Sequence, residues 1–208
     1  MIYGRAFPKD DTAMTVLSAA ILLFLVMDPL GNILLFVTAL KTVPAHRRRR
    51  VVARELLIAY GVLVLFLFTG EHLLNWLNIS GPALTIAGGL VLFLIALRMV
   101  FPSPEHPLAE TIRGEPFLVP LAIPYVAGPS TLATLLLLMS REPQRWPEWL
   151  LALTCAWLVS AAILVLGGKI GDFLGKRGLL ALERLMGLLL VALAVQMAIE
   201  GLRVALKS

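Results

Sequence analysis

The sequence predicts an all-α membrane protein: six transmembrane helices arranged as two inverted three-helix repeats, with helices 1 and 4 broken mid-membrane. Three observations lead there. The 208 residues are 59% hydrophobic and only 15% charged, beyond the usual soluble balance. The apolar residues fall into six segments long enough to be candidates for crossing a bilayer core of ~30 Å. The two halves of the chain also match each other, and each carries proline and glycine inside its first apolar segment.

Residues 1–12 are polar, and the run that follows lacks a small-residue cleavage pattern, so it reads as a retained first span and not as a signal peptide. That span, about Ala13 to Leu40, is longer than the bilayer core at ~1.5 Å per residue and must tilt or break. Pro29 and Gly31 locate the break, beside Asp28 and Asn32. The second segment covers about Val51 to Leu74 and the third about Pro82 to Phe101. Residues 102–116, with Pro102, Pro104, Pro107 and Pro116, form the linker that divides a first repeat (1–101) from a second (117–208). The fourth segment, about Phe117 to Met139, holds Pro120, Pro124, Gly128 and Pro129, too many breakers for one straight helix. The fifth covers about Trp146 to Gly168 and the sixth about Leu179 to Leu206. Trp76, Trp146 and Trp149 stand at segment ends, where aromatic anchors sit.

The net charge of +5 does not indicate nucleic acid, because the basic residues cluster in short loops beside apolar segments. The loop after span one, the central linker and the loop after span five together hold twelve of the eighteen Lys and Arg. The positive-inside rule then places these loops in the cytoplasm and both termini outside, in a multi-pass cytoplasmic (inner) membrane protein. Arg47 to Arg50 can also bind anionic membrane lipid. Cys155 has no partner in the chain and reads as a small buried hydrophobe. His46, His72 and His106 lie in or near loops without a second ligand at metal spacing, so neither metal nor cofactor is expected.

Shifting the second half back by about 98 to 100 residues lays Gly187–Met197 over Gly89–Met99, Gly128-Pro129 over Asp28-Pro29 and Gly168 over Gly70. Three spans is an odd number, so the second half enters the membrane from the opposite side. Inverted repeats with broken helices at equivalent positions are the plan of secondary transporters, with substrate at the repeat interface.

The chemistry of the two breaks fits a small zwitterion. A half-helix that starts inside the membrane presents unpaired N–H groups and a partial positive charge, an anion site. The groups after Gly31 and Asn32, and after Pro129 with the hydroxyls of Ser130 and Thr131, are candidates for a substrate carboxylate. Asp28 is the candidate for its ammonium group or for titration in proton coupling, since a mid-membrane carboxylate is a functional hypothesis by default. Ala127 and Gly128 leave little room for a large solute. Beside this stands the plainer reading that Asp28 caps the second half of its helix and that Ser130, Thr131 and Asn32 do the same locally. Gly88, Gly89 and Gly187 read as helix-packing residues. Arg98 and Glu200 snorkel from segment ends, and Gln196 is placed to hydrogen-bond across helices.

Asp28-Pro29-Leu30-Gly31-Asn32, the Pro120–Pro124 stretch followed by Ala127-Gly128-Pro129, and Arg184–Leu190 together resemble the MarC family of integral membrane proteins, over about Met14 to Leu202. The resemblance implies a six-span inner-membrane protein grouped with small neutral amino acid transporters, similar in architecture to exporters of the lysine-exporter superfamily. It implies transport of glycine, alanine or similar solutes. The chain departs from the family pattern at Leu34, where a second proline is usual, and at Ser130, where a small Gly or Ala is usual. These departures bear on the shape of the first break and on substrate choice.

The expectation is therefore a non-enzymatic secondary transporter of small neutral amino acids working by alternating access, with a proton or sodium as coupling ion. Its substrate-binding residues are Asp28, Gly31, Asn32, Gly128, Ser130 and Thr131; Pro29, Pro124 and Pro129 break the helices. An exporter of other small metabolites or drugs, and a non-transporting scaffold, are the alternatives. An intramembrane aspartyl hydrolase needs two mid-membrane carboxylates, and the sequence offers one. A nucleophilic enzyme needs a His or Lys beside Ser130, and no span interior supplies it. A homo-oligomer is left open.

Overall fold

The computed structural model describes residues 14–40, 43–76, 78–101 and 126–206, and these are helical throughout, without strands. Five stretches are long and apolar enough to cross a membrane: Val16–Val37, His46–Gly70, Gly81–Val100, Pro143–Val165 and Arg177–Ala205. Pro129–Ser140 is a shorter apolar helix, and the first part of the expected fourth segment, with Pro120 and Pro124, lies outside the described residues.

Helix α1 (Val16–Met27) starts at Thr15, whose hydroxyl accepts from the Ser18 N–H at 3.1 Å. It ends at Asp28, and α2 (Pro29–Ala39) follows at once. Helix α3 (Ala45–Trp76) starts ahead of Val51 because Arg47 to Arg50, good helix formers, extend it; its 32 residues make ~48 Å. Ser80 caps α4 (Gly81–Val100). Helix α5 (Pro129–Arg141) has 13 residues, about 20 Å, less than a full crossing. Helix α6 covers Trp146–Val165, and α7 runs from Gly167 to Ala205 through a kink at Gly175, whose φ of 62° only glycine adopts at ease. The sixth helix thus begins well before Leu179, its first turns lying across a kink that the apolar pattern did not register.

The core joins α1, α2, α3, α5 and α6 through buried Leu23, Ile33, Phe36, Leu63, Leu135 and Leu153. Helices α4 and α7 pack in close antiparallel register. The positions at Pro82, Gly89 and Ala96 of α4 meet Gly201, Ala194 and Gly187 of α7, so seven residues forward on one helix is seven back on the other. A Cβ on Gly89 would come within 2.9 Å of the Ala194 carbonyl oxygen, and one on Gly187 within 3.1 Å of the Ala96 oxygen. These glycines are packing residues, as is Gly88 against Ala133. Helix α2 packs on α7 and α6, while α5 packs on α4 and α3.

Two ends of the bundle can be told apart. Arg145 Nη2 donates to the Met14 carbonyl at 2.9 Å, joining the start of α6 to the start of α1. At the other end the foot of α2, the start of α3 and the α6–α7 junction meet around Leu40, Arg48 and Lys169.

Three expectations are corrected. Trp149 is 1% exposed and no headgroup anchor: its Nε1 donates to the Glu142 carbonyl at 3.0 Å, and the Arg145 guanidinium lies 4.6 Å from its ring centroid. Trp76 and Trp146 are exposed. Cys155 is exposed on α6, on the outward stripe of Leu151, Leu158 and Val159. In a bilayer an apolar side chain has no reason to seek the interior, because lipid is as apolar as the core. Gln196 likewise lies on an exposed face of α7 and not in a helix crossing.

Candidate functional site

The turn between α1 and α2 is built by five residues. Pro29 has no N–H and a fixed φ, which suits the first position of a helix and forbids continuing the previous one. Asp28 closes α1 in the left-handed region, φ 44° and ψ 58°, a conformation Asp tolerates better than most residues. Its N–H donates to the carbonyls of Phe24 and Leu25, and its own carbonyl accepts from the Asn32 N–H at 3.1 Å. Its Oδ1 accepts from the Gly31 N–H at 3.1 Å, so Asp28 ends one helix and caps the next. Asn32 Nδ2 donates to the Met27 carbonyl at 3.0 Å, satisfying a last-turn oxygen of α1. Both side chains are buried, Asp28 at 6% exposure and Asn32 at 8%.

Gly31 is fixed by contact. A Cβ there would collide with the Asp28 carboxylate and with Met99 Cε. Gly31 and Asn32 therefore do not offer their N–H groups to a ligand as the sequence suggested, because Asp28 already accepts both. The Gly31 N–H holds the Asp28 carboxylate in place, and Asn32 holds the backbone of the turn.

The start of α5 also has proline at its first position, with two differences from the start of α2. Gly128 is extended (φ −71°, ψ 166°), Pro129 takes the first helical position, and the Leu132 N–H reaches back to the Gly128 carbonyl at 3.0 Å. Thr131 Oγ1 donates to the Val126 carbonyl at 3.3 Å, and Thr134 Oγ1 to that of Ser130 at 2.8 Å. Among the described residues no side chain caps this helix, and glycine stands where Asp28 stands in the first half. The buried first turn, with Ser130 at 4% and Thr131 at 1% exposure, thus keeps the partial positive charge of a helix start.

The two turns face one cavity of about 70 Å³, lined by Asp28, Gly31, Asn32, Gly128, Ser130 and Thr131. Pro29 and Pro129 shape it without lining it, and Pro124 lies outside the described residues. Leu92, Ile95, Met99 and Leu190 supply its apolar wall. Glu183 of α7 also lines it, and sequence reasoning missed this residue. The signal was available: Glu183 is an ionisable residue inside an apolar segment, the same rule that singled out Asp28. It also removes the sequence argument that the membrane interior offers a single carboxylate. A space holding two carboxylates beside the positive start of α5 suits a ligand with a cationic and an anionic end. Its volume is room for about two waters, far below the ~300 Å³ and more of drug-sized pockets.

A third carboxylate, Glu55 of α3, is 1% exposed; its Oε1 accepts from Arg54 at 3.0 Å, while Oε2 has no hydrogen-bond partner among the described residues. It does not line the cavity. No group of His, Cys, Asp and Glu among the described residues is arranged to hold a metal.

The family model described as "MarC family integral membrane protein" matches residues 13–206. The "UPF0056 inner membrane protein YhgN" of Escherichia coli (strain K12) is 47% identical over 193 residues, covering 92% of this chain and 98% of the relative. A "UPF0056 membrane protein" of Buchnera aphidicola subsp. Schizaphis graminum is 48% identical, covering 93% and 98%. One from Chlamydia pneumoniae is 33% identical, covering 92% and 96%. These names give a location and no activity. No solved structure matches the chain.

Proposed function

This chain belongs to the MarC family of integral membrane proteins, and from that premise we propose that it is an inner-membrane secondary transporter of small neutral amino acids such as glycine and alanine. The observation that carries the reading is the cavity in which Asp28 and Glu183 face the uncapped start of α5. An ammonium group would sit toward the carboxylates and a carboxylate toward Ser130 and Thr131, each held by the opposite sign. A proton or sodium would share the acidic side as coupling ion.

The packing supports two inverted halves exchanging access around this point. Exchanging the halves with a shift of 98 turns the Gly89–Ala194 contact into Gly187–Ala96, and both contacts occur. The same exchange pairs Leu92 with Leu190, both almost fully buried and both on the cavity wall. Helix α2 on α7 and α6 has its counterpart in α5 on α4 and α3. Gly70 and Gly168 do not share surroundings, since Gly70 packs on Leu136 and Gly168 has open space. The break in span one at Asp28, and its counterpart before Pro129, would then lie at the repeat interface, where transporters bind substrate.

The small volume favours amino acids over drugs, and it is too small for an extended peptide, which favours binding over hydrolysis by the two carboxylates. Alternating access supplies the modest widening that a solute needs. The test is counterflow in proteoliposomes with purified protein, across glycine, alanine, larger amino acids and lipophilic drugs. Accumulation of labelled glycine or alanine, competed by neither large residues nor drugs, is expected. Accumulation of none of the amino acids by correctly inserted protein would overturn the substrate class.

A further inference from the structure

A second cavity, of about 200 Å³, opens at the end of the bundle where the basic loops gather. Leu40, Val52 and Leu164 form a buried apolar floor, and exposed Arg48, Arg49 and Lys169 stand around it. No carboxylate is among its lining residues. Arg48 is anchored there, its Nε donating to the Val43 carbonyl at 2.9 Å. The arginines come from the first half of the chain and Lys169 from the second, so the cluster is made by folding and not by one basic run. Beside it, the first turns of α7 before the Gly175 kink present Phe173 at 90% exposure, with Asp172 exposed on the same stretch but outside the cavity.

We propose that this cavity is a binding site for a phosphate group, supplied by the headgroup of an anionic phospholipid or by free phosphate. Three cations with no carboxylate among the described residues that line the cavity form an anion receptor, and guanidinium groups match phosphate oxygens in geometry. The volume, room for about six waters, holds a phosphodiester together with the start of its glycerol. The apolar floor and the neighbouring Phe173 suit a lipid source, because basic pockets between helices take anionic headgroups. A bound headgroup would tie α3 to the α6–α7 junction, and so one half of the chain to the other. This site is independent of the transport reading and stands if that reading fails.

The experiment uses full-length protein in detergent, with retained lipid read by native mass spectrometry and thermal stability read alongside. Probes are phosphatidylglycerol, phosphatidylcholine and inorganic phosphate. The Arg49→Gln/Lys169→Gln variant removes two cavity cations; Arg50→Gln/Arg177→Gln removes two exposed cations from the same two helices, α3 and α7, that do not line it. Wild type should retain and be stabilised by phosphatidylglycerol and not phosphatidylcholine. The cavity variant should lose on the order of thirtyfold in that affinity, and the control stay within about threefold. Lys169→Gln alone, at an exposed position, should lose about fivefold and serves if the double variant does not fold. Stabilisation by inorganic phosphate without lipid retention, lost in the cavity variant, would assign the site to free phosphate. Equal retention by cavity variant and control, or no response to either phosphate source, would overturn the proposal.

Discussion

Replacing Gly31 by alanine should destabilise the protein although glycine to alanine is ordinarily favourable in a helix. At an open helical position the exchange gains up to ~1 kcal/mol from reduced backbone freedom. At Gly31 the new methyl would overlap both the Asp28 carboxylate and Met99 Cε. The methionine end can swing away at small cost, but the carboxylate cannot move without losing its bond to the Gly31 N–H. Loss of that cap costs ~1 kcal/mol and the residual overlap about 1–3 kcal/mol, so the net effect is a loss of about 1–3 kcal/mol. At about 2–4 °C per kcal/mol for a chain of this size, the midpoint should fall by roughly 2–12 °C. Gly61→Ala is the internal control: Gly61 lies in α3 with nothing near its Cβ position, and the variant should match or exceed wild type by up to ~4 °C. Thermal unfolding of the three proteins in one detergent reads the difference. A Gly31→Ala protein as stable as Gly61→Ala would refute the account of how Asp28 is held.

Further predictions concern the neighbours of that turn. Asn32→Leu leaves the Met27 carbonyl without its side-chain donor and should cost about 1–3 kcal/mol in the same unfolding measurement. Glu183→Gln keeps shape and removes charge, so it should weaken alanine binding about tenfold, read by isothermal titration. Trp149→Phe loses the bond to the Glu142 carbonyl and weakens the stacking of Arg145, and should cost ~1–2 kcal/mol; an anchor at the membrane surface would tolerate the exchange.

Much of the site was legible in the sequence because proline and glycine act locally. Asp28-Pro29 and Gly128-Pro129 dictate where α2 and α5 start whatever surrounds them, and the residues just beyond them line one cavity. The partner across the cavity was not legible, because Glu183 faces Asp28 only through the rotation of α7 and its kink at Gly175. The same limit explains Trp149 and Cys155: position along a helix gives depth, but which face turns inward depends on neighbouring helices. Arg47 to Arg50 mark where the second apolar run has not yet begun, which is a statement about lipid, while α3 begins where backbone bonding begins, at Ala45. The role of Gly31 was misjudged for a related reason. Its N–H looks unpaired in the sequence and is taken by Asp28 in the fold.

The central claim is that the Asp28 carboxylate carries transport, and Asp28→Asn isolates it. Asparagine tolerates the left-handed conformation and can accept from the Gly31 N–H, so the turn is retained while the charge is lost. Alanine counterflow should then fall to the level of protein-free liposomes, in a variant with wild-type insertion and unfolding midpoint. Wild-type accumulation by Asp28→Asn would contradict the claim and leave Asp28 as a helix cap alone.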